Sequence, residues 1–385
     1  MYFSLPPSAQ TFRRELRSWL SAHLTEEVVT AGSLGASDPA AFEILRAWSR
    51  TMAEDRWAAV SWAPEYGGRG VGPLEQTIYV EETVGARAPL PLNIIGMNNI
   101  APAIMRYGSP AQKATLLPRM MRADDIWCQG MSEPEAGSDL ASLRTRAVRD
   151  GREFLITGQK VWTSLGHHAG WCQLFVRTDP EAPKRQGISC FLVDMSLPGV
   201  RARPLVTLTG AADFAEVFFD EVRVPEAALL GPLHGGWGVA TTTLSHERAN
   251  AARLYAELRL RLTDLVADLA AAGEEQAAAL EDPVFLARLG DAVVRIDLLE
   301  LLCRRALSAT LAGTDSIRTG SLSKTVWGEL GQEIAALGFD VLGASHADGR
   351  WLHHRLASRA LTIAGGTTQI NKNITALHVL GLGTG

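Results

Sequence analysis

The feature that most limits how this chain can fold is a double change in apolar periodicity. From Thr11 to about Met121 apolar residues recur at helical spacing, first Phe12, Leu16, Trp19 and Leu20, then Phe42, Leu45, Trp48 and Met52. A turn-rich stretch from Trp62 to Gln76 precedes a helix expected over 75–85. Two more are expected around 98–107 and 112–121, with Ser109 as N-cap and Pro110 in the first turn. Between Trp127 and Val224 the pattern becomes short runs rich in Val, Ile, Phe and Trp, at 153–162, 171–178, 188–194, 200–205 and 215–224. No helix-length pattern lies between these runs, which argues against parallel βαβ units and predicts an antiparallel barrel or sandwich. After a Gly-rich step at 231–238 helical spacing returns, with helices expected over 237–272, 283–312 and 321–338. The stretch 271–280 reads as an exposed turn, and the last segment breaks at Gly365-Gly366 before a short helix. The expectation is a mainly α chain with a central β-domain, divided as 1–124, 125–235 and 236–385.

A chain of 385 residues suits two or three packed lobes rather than one small core. A formal charge of −5 and a pI near 6.0 argue against nucleic-acid or anionic-membrane partners. No uncharged apolar run is long enough for a membrane span, and the N-terminus lacks a basic region followed by an apolar core, so a cytoplasmic protein is expected. Cys128, Cys172, Cys190 and Cys303 are widely spaced and mostly sit in apolar surroundings, reading as small buried hydrophobes rather than disulfides or zinc ligands. His167-His168 and His353-His354 are adjacent pairs, not the i, i+4 pairs that put two metal ligands on one helix face, and suggest solvated or capping roles. No metal is expected.

Two local motifs carry chemistry. Met131-Ser132-Glu133-Pro134-Glu135-Ala136-Gly137-Ser138-Asp139 marks the junction of the first helical stretch and the strands. Small residues there let backbone N–H groups approach a ligand, and the Ser132 and Ser138 hydroxyls can donate to carbonyl or phosphate oxygens. A capped surface turn is the plainer reading of the same residues. Downstream lies Gly158-Gln159-Lys160-Val161-Trp162-Thr163-Ser164, where an indole at a strand end is followed by two hydroxyls. Such an indole can lie against a flat ring, although a core Trp at a strand end is equally consistent.

Taken together the two motifs resemble the flavin-binding segments of the acyl-CoA dehydrogenase family. Further landmarks follow in the family's order: Tyr66-Gly67-Gly68, the segment Phe214–Pro225, the Gly-rich step into a long helix, and Gly365-Gly366-Thr367-Thr368-Gln369-Ile370. The resemblance covers essentially the whole chain and implies a three-part fold of helical, β and helical parts binding FAD. It implies that Gln129, Met131, Ser132, Gly137 and Ser138 line the flavin, that Trp162, Thr163 and Ser164 cover and hydrogen-bond it, and that Thr367 and Gln369 contact it. Ser138 would also reach the substrate. The implied reaction is α,β-dehydrogenation of an acyl thioester, carried by CoA or an acyl-carrier protein, with an electron-transfer flavoprotein as acceptor. A carboxylate removes the α-proton while a hydride leaves the β-carbon for flavin N5.

Many members carry that carboxylate as a Glu just before the Gly-Thr of the terminal segment, but Gly365 stands there, and TIAGGTTQINKNI holds no carboxylate. A minority place it on the long helix beside an Arg, which matches Glu247-Arg248 here; the plainer reading of Glu247 is a helical surface carboxylate paired locally. Glu247 is therefore the candidate base, Arg248 a candidate substrate-side residue, and the backbone at Gly365 or Gly366 a donor to the thioester oxygen. The Arg-Gln-Phe-Gly run through which a neighbouring subunit grips FAD is missing, and Asp340 stands where a Gln is usual. That departure resembles a bacterial subgroup with hetero-oligomeric members, so either a homo-oligomer or a complex with a related chain is expected. A non-catalytic or half-site partner subunit, and a flavin oxidase or monooxygenase on the same fold, are the alternatives.

Overall fold

The computed structural model describes residues 5–247, 251–314, 317–344 and 346–383. By internal packing the chain forms two compact units, one of Leu24–Val71 with Pro89–Glu247, the other of Met1–His23, Gly72–Ala88 and Arg248–Gly385.

The first unit is built on a seven-stranded sheet: β1 (Trp127–Gly130), β2 (Arg146–Asp150), β3 (Glu153–Ser164), β4 (Trp171–Arg177), β5 (Ile188–Asp194), β6 (Val200–Leu205) and β7 (Phe214–Pro225). Its order is β1-β4-β2-β3-β7-β6, with β5 on the other side of β4. The long β3–β7 pair is antiparallel, from Glu153↔Pro225 to Ser164↔Phe214, and alternation puts Phe154, Ile156, Val217 and Phe219 into one core with Cys172, Leu174, Phe191 and Val193. The sheet is mainly antiparallel, as expected, with a parallel exception where β1 runs alongside β4 with Cys128 opposite Cys172. Parallel pairing needs a long crossover, and here strands β2 and β3 supply it in place of a helix. Periodicity missed β1 and β2 because four or five residues hold too few alternations to read.

Helices α2 (Glu26–Leu34), α3 (Pro39–Glu54), α5 (Ala101–Tyr107), α6 (Pro110–Met121) and α7 (Gly236–Glu247) complete this unit. Helix α2, unread in the sequence, is short, but Thr25 caps it by accepting from the Val28 N–H. Helix α3 starts on a similar cap from Asp38. At α6 Ser109 and Gln112 form a reciprocal capping box around Pro110, as the Ser-Pro step suggested. A five-residue π-helical turn, Gly96–Ile100, leads into α5.

The second unit holds α1 (Pro7–His23), α4 (Pro73–Gly85), α8 (Ala251–Ala271), the single-turn α9 (Glu274–Ala277), α10 (Pro283–Leu311), α11 (Ile317–Leu342), α12 (Arg350–Ala357) and α13 (Thr368–His378). Leu16, Leu20, Ile78, Leu258, Leu265, Ile296, Leu330 and Ile334 are among its buried apolar residues. Tyr255 donates to Glu81 at 2.6 Å and Arg13 pairs with the same carboxylate at 3.1 Å, tying α1, α4 and α8 together. The stretch 271–280 is not a plain turn, since α9 and a 3-10 turn at Ala278–Leu280 fill it. Residues 248–250, where one helix was expected to run through from 237 to 272, lie outside the described residues.

All four cysteines are buried and unbridged. The solvated reading of the histidines holds only in part: His168 and His353 are exposed, while His167 and His354 are half-buried. His168 stacks on Phe42 with ring centroids 4.5 Å apart, and His354 lies edge-on to the buried Trp351. Among the described residues no cluster of three or more His, Cys, Asp or Glu could hold a metal, and no helix is long and apolar enough to cross a membrane.

Candidate active site

In the first unit the two motifs meet edge to edge. Strand β1 carries Gln129 and runs into the 131–139 turn, while β3 ends at Trp162, Thr163 and Ser164. The Val161 N–H donates to the Ser132 carbonyl at 2.9 Å, joining turn and strand end. Alternation along β3 buries Phe154, Ile156 and Lys160, and would next bury residue 162. A register shift against β7 between Lys160 and Thr163 reverses this phase. Thr163 is buried instead, and Trp162 stands 60% exposed on a left-handed backbone with φ of 58°. A left-handed conformation is uncommon for a residue with a Cβ and is held here by surrounding structure. The Trp162 indole meets Phe214 edge-on at 5.9 Å.

Within the turn, Glu133 and Ala136 exchange backbone hydrogen bonds at 3.0 and 3.1 Å, and Ala136 is buried. Gly137 and Ser138 are exposed, and a Cβ added at Gly137 would touch nothing within 4 Å. Asp139 pairs with Lys184 at 2.9 Å.

Two devices beneath the turn went unread in the sequence. One is a buried ion pair: Lys160 Nζ lies 2.8 Å from Glu133 Oε1 and also donates to the Met131 carbonyl at 3.1 Å. The Glu133 carboxylate further accepts from the Arg144 and Thr145 N–H groups at 2.6 and 2.9 Å. Burial by itself would raise the Glu133 carboxyl, but the Lys160 charge and these hydrogen bonds leave it below the usual carboxylate range. Burial pulls the Lys160 ammonium down, with Glu133 opposing the shift. Its clue was a charged residue at a core-facing strand position, two before the indole.

The second is a buried chain of amides. Asn99, in the π-helical turn, donates to Gln129 at 3.2 Å, Gln129 donates to Gln173 at 3.3 Å, and Gln173 donates to Thr243 at 3.2 Å. Thr243 lies on α7, one turn before Glu247, which closes that helix. Tyr107 ties the start of α7 through the Gly238 carbonyl at 3.2 Å. No local pattern announces such a chain, because its members come from four elements.

In the second unit Gly365 and Gly366 both adopt left-handed backbone, with φ of 65° and 92°, a conformation that penalises any side chain. Thr367 is the N-cap of α13, its hydroxyl accepting from the Ile370 N–H at 3.2 Å. Thr367, Gln369 and Lys372 line an open hollow of about 410 Å³. The geometry thus gathers Gln129, Met131, Ser132, Trp162, Thr163 and Ser164 in one unit and Gly365, Gly366, Thr367 and Gln369 in the other. Arg248 lies outside the described residues.

These residues fit a flat, hydrogen-bonding cofactor. An indole held out on a strained bulge offers an apolar face, while Thr163 Oγ1 and His167 Nδ1 are buried polar atoms without a hydrogen-bond partner among the described residues. Ser132 and Ser164 are only half-buried and keep hydroxyls near the surface.

Comparison with known proteins gives the same reading along the whole chain. The acyl-CoA dehydrogenase N-terminal, middle and C-terminal domain models match residues 6–124, 128–222 and 234–380. Acyl-CoA dehydrogenase IpdE1 of Mycobacterium tuberculosis is 36% identical over 383 residues, covering 97% of each chain. Among solved structures, the Tcur3481-Tcur3483 steroid ACAD superposes with a TM-score of 0.88 at 28% identity over 100% of both chains. The ChsE4-ChsE5 complex from Mycobacterium tuberculosis does so at 0.85 and 31% identity, again over 100% of both. This chain belongs to the acyl-CoA dehydrogenase family and is a flavin-dependent oxidoreductase acting on acyl-CoA.

Proposed function

We propose that the protein catalyses FAD-dependent α,β-dehydrogenation of an acyl-CoA, with Glu247 as the base that takes the α-proton. The observation that carries this reading is the anchoring of α7. The helix that ends at Glu247 is tied through Thr243 and Gln173 to Gln129, in the strand leading to the flavin turn. The usual alternative position holds a glycine in a left-handed conformation. FAD, when bound, supplies the two-electron acceptor. Ser132, Trp162, Thr163 and Ser164 would hold it, with Gly137 and Ser138 on the exposed side of the turn. By the family resemblance Thr367 and Gln369 would contact the cofactor, and the N–H groups of Gly365 and Gly366 would donate to the thioester oxygen, where donors stabilise developing charge. Arg248, next to the base in sequence, would orient it or the substrate.

The solved relative described as a steroid ACAD makes a bulky polycyclic acyl-CoA the first substrate to test, ahead of a carrier-protein thioester. An electron-transfer flavoprotein would reoxidise the flavin. Assembly with a related chain is part of the proposal. Leu286, Val293, Val294, Leu298 and Leu301 are exposed along one side of α10 while Phe285, Ala292, Ile296 and Leu299 are buried on the other. A helix apolar on both sides needs a second cover.

The test is Glu247→Gln on flavin-loaded protein, mixed anaerobically with steroid-derived and straight-chain acyl-CoA. Bleaching of the visible flavin band should slow by a factor on the order of 10²–10⁴. Unchanged bleaching would remove Glu247 from the mechanism. A colourless preparation that cannot be reconstituted with FAD would favour the half-site reading, in which the chain only supports a related subunit.

A further inference from the structure

We propose that the Lys160–Glu133 pair is a positioning device for the flavin, setting the spacing between the turn that bears Ser132 and the bulge that bears Trp162. The inference rests on the flavin reading above and goes beyond it, to residues that need not touch the cofactor.

Burial comes first. Lys160 is fully buried at a strand position whose neighbours on that face, Phe154 and Ile156, are apolar. A charged pair of this kind is a poor way to gain stability, since apolar residues of similar volume often do as well or better. Geometry is what the pair provides and an apolar residue would not. One ammonium grips the Met131 carbonyl at 3.1 Å and the Glu133 carboxylate at 2.8 Å, so it holds the chain on both sides of Ser132. Glu133 in turn fixes the far side of the turn through the Arg144 and Thr145 N–H groups. Lys160 itself stands two residues before Trp162, at the last regular β3–β7 pairing before the bulge. The two segments expected to meet the ring are therefore referenced to a single buried atom, Nζ of Lys160. The Val161–Ser132 backbone bond at 2.9 Å adds a second tie in the same place.

The experiment is a titration of apo-protein with FAD, read by flavin fluorescence quenching and by the shape of the bound visible band. The variant is the double substitution Lys160→Met with Glu133→Gln, which removes both charges without leaving either unpaired. The expected result is folded protein, by near-ultraviolet circular dichroism, with FAD binding weakened roughly tenfold or more and a band closer to that of free flavin. A double variant with wild-type affinity and band shape would overturn the proposal, since a purely structural pair would leave both unchanged in folded protein. If the double variant does not fold, Glu133→Asp keeps the charge but shortens the reach by one carbon. It should fold and still weaken FAD binding, and wild-type affinity there would overturn the proposal equally. Wild-type protein that takes up no FAD in the same titration would instead sink the flavin reading itself, and the positioning role with it.

Discussion

At the scale of single residues, solvation decides roles that residue type leaves open. His353 and His354 are neighbours in sequence, yet His353 is exposed while His354 packs against Trp351. Burial first, then the charges of Arg261, His353 and Arg350, push His354 down to about 3. The unfolded chain, with an ordinary histidine near 6.5, then binds the proton that the folded chain refuses. The stability this group contributes is complete above about pH 6.5 and is lost as pH falls from there toward 3. Between pH 7.5 and 5 the loss should be about 1–2 kcal/mol. Melting curves at both values should show a steeper acid loss for wild type than for His354→Gln, and equal slopes would refute the assignment. Residue identity was enough to nominate Ser132, Trp162 and Glu247, because their motifs are local. It was not enough to show that Lys160 is buried or that Trp162 is exposed, since both depend on the partner strand.

At the scale of elements, close contacts restrict what the helices tolerate. In the second unit α11 passes so near Trp351 of α12 that a Cβ at Gly338 would lie 1.9 Å from the indole Cε3. Trp351 cannot easily yield, being fully buried with Nε1 bonded to Asp268 at 2.8 Å. Gly338→Ala should gain about 1 kcal/mol of helix propensity and lose about 1–3 kcal/mol to overpacking, for a net destabilisation. A urea midpoint at or above that of wild type would contradict this. Helices were legible in the sequence where they were long and amphipathic or where a cap such as Ser109 announced them. Strands β1 and β2 were not, because a short edge-to-edge pairing is stabilised by its neighbours rather than by its own pattern.

At the scale of the whole molecule, the exposed apolar side of α10 makes a prediction about assembly. Leu298 is 58% exposed, so Leu298→Glu should barely change the stability of the isolated chain, by about 0.5 kcal/mol or less. Light scattering on the chain, with and without a related partner chain, should show the variant at lower mass than wild type. Equal masses would mean that this side of α10 is not a contact.

The sequence by itself determined the architecture and the class of chemistry. Hydrophobic period is a local property that survives without tertiary context, and the two motifs that carry the family resemblance are contiguous. Tertiary structure alone decided which of their residues are held and by what. The parallel β1–β4 pairing, the bulge that turns Trp162 outward, the ion pair under Ser132 and the amide chain from Asn99 to Thr243 all join residues distant in sequence. Their energies come from desolvation and from hydrogen bonds between partners that no stretch of the chain contains together.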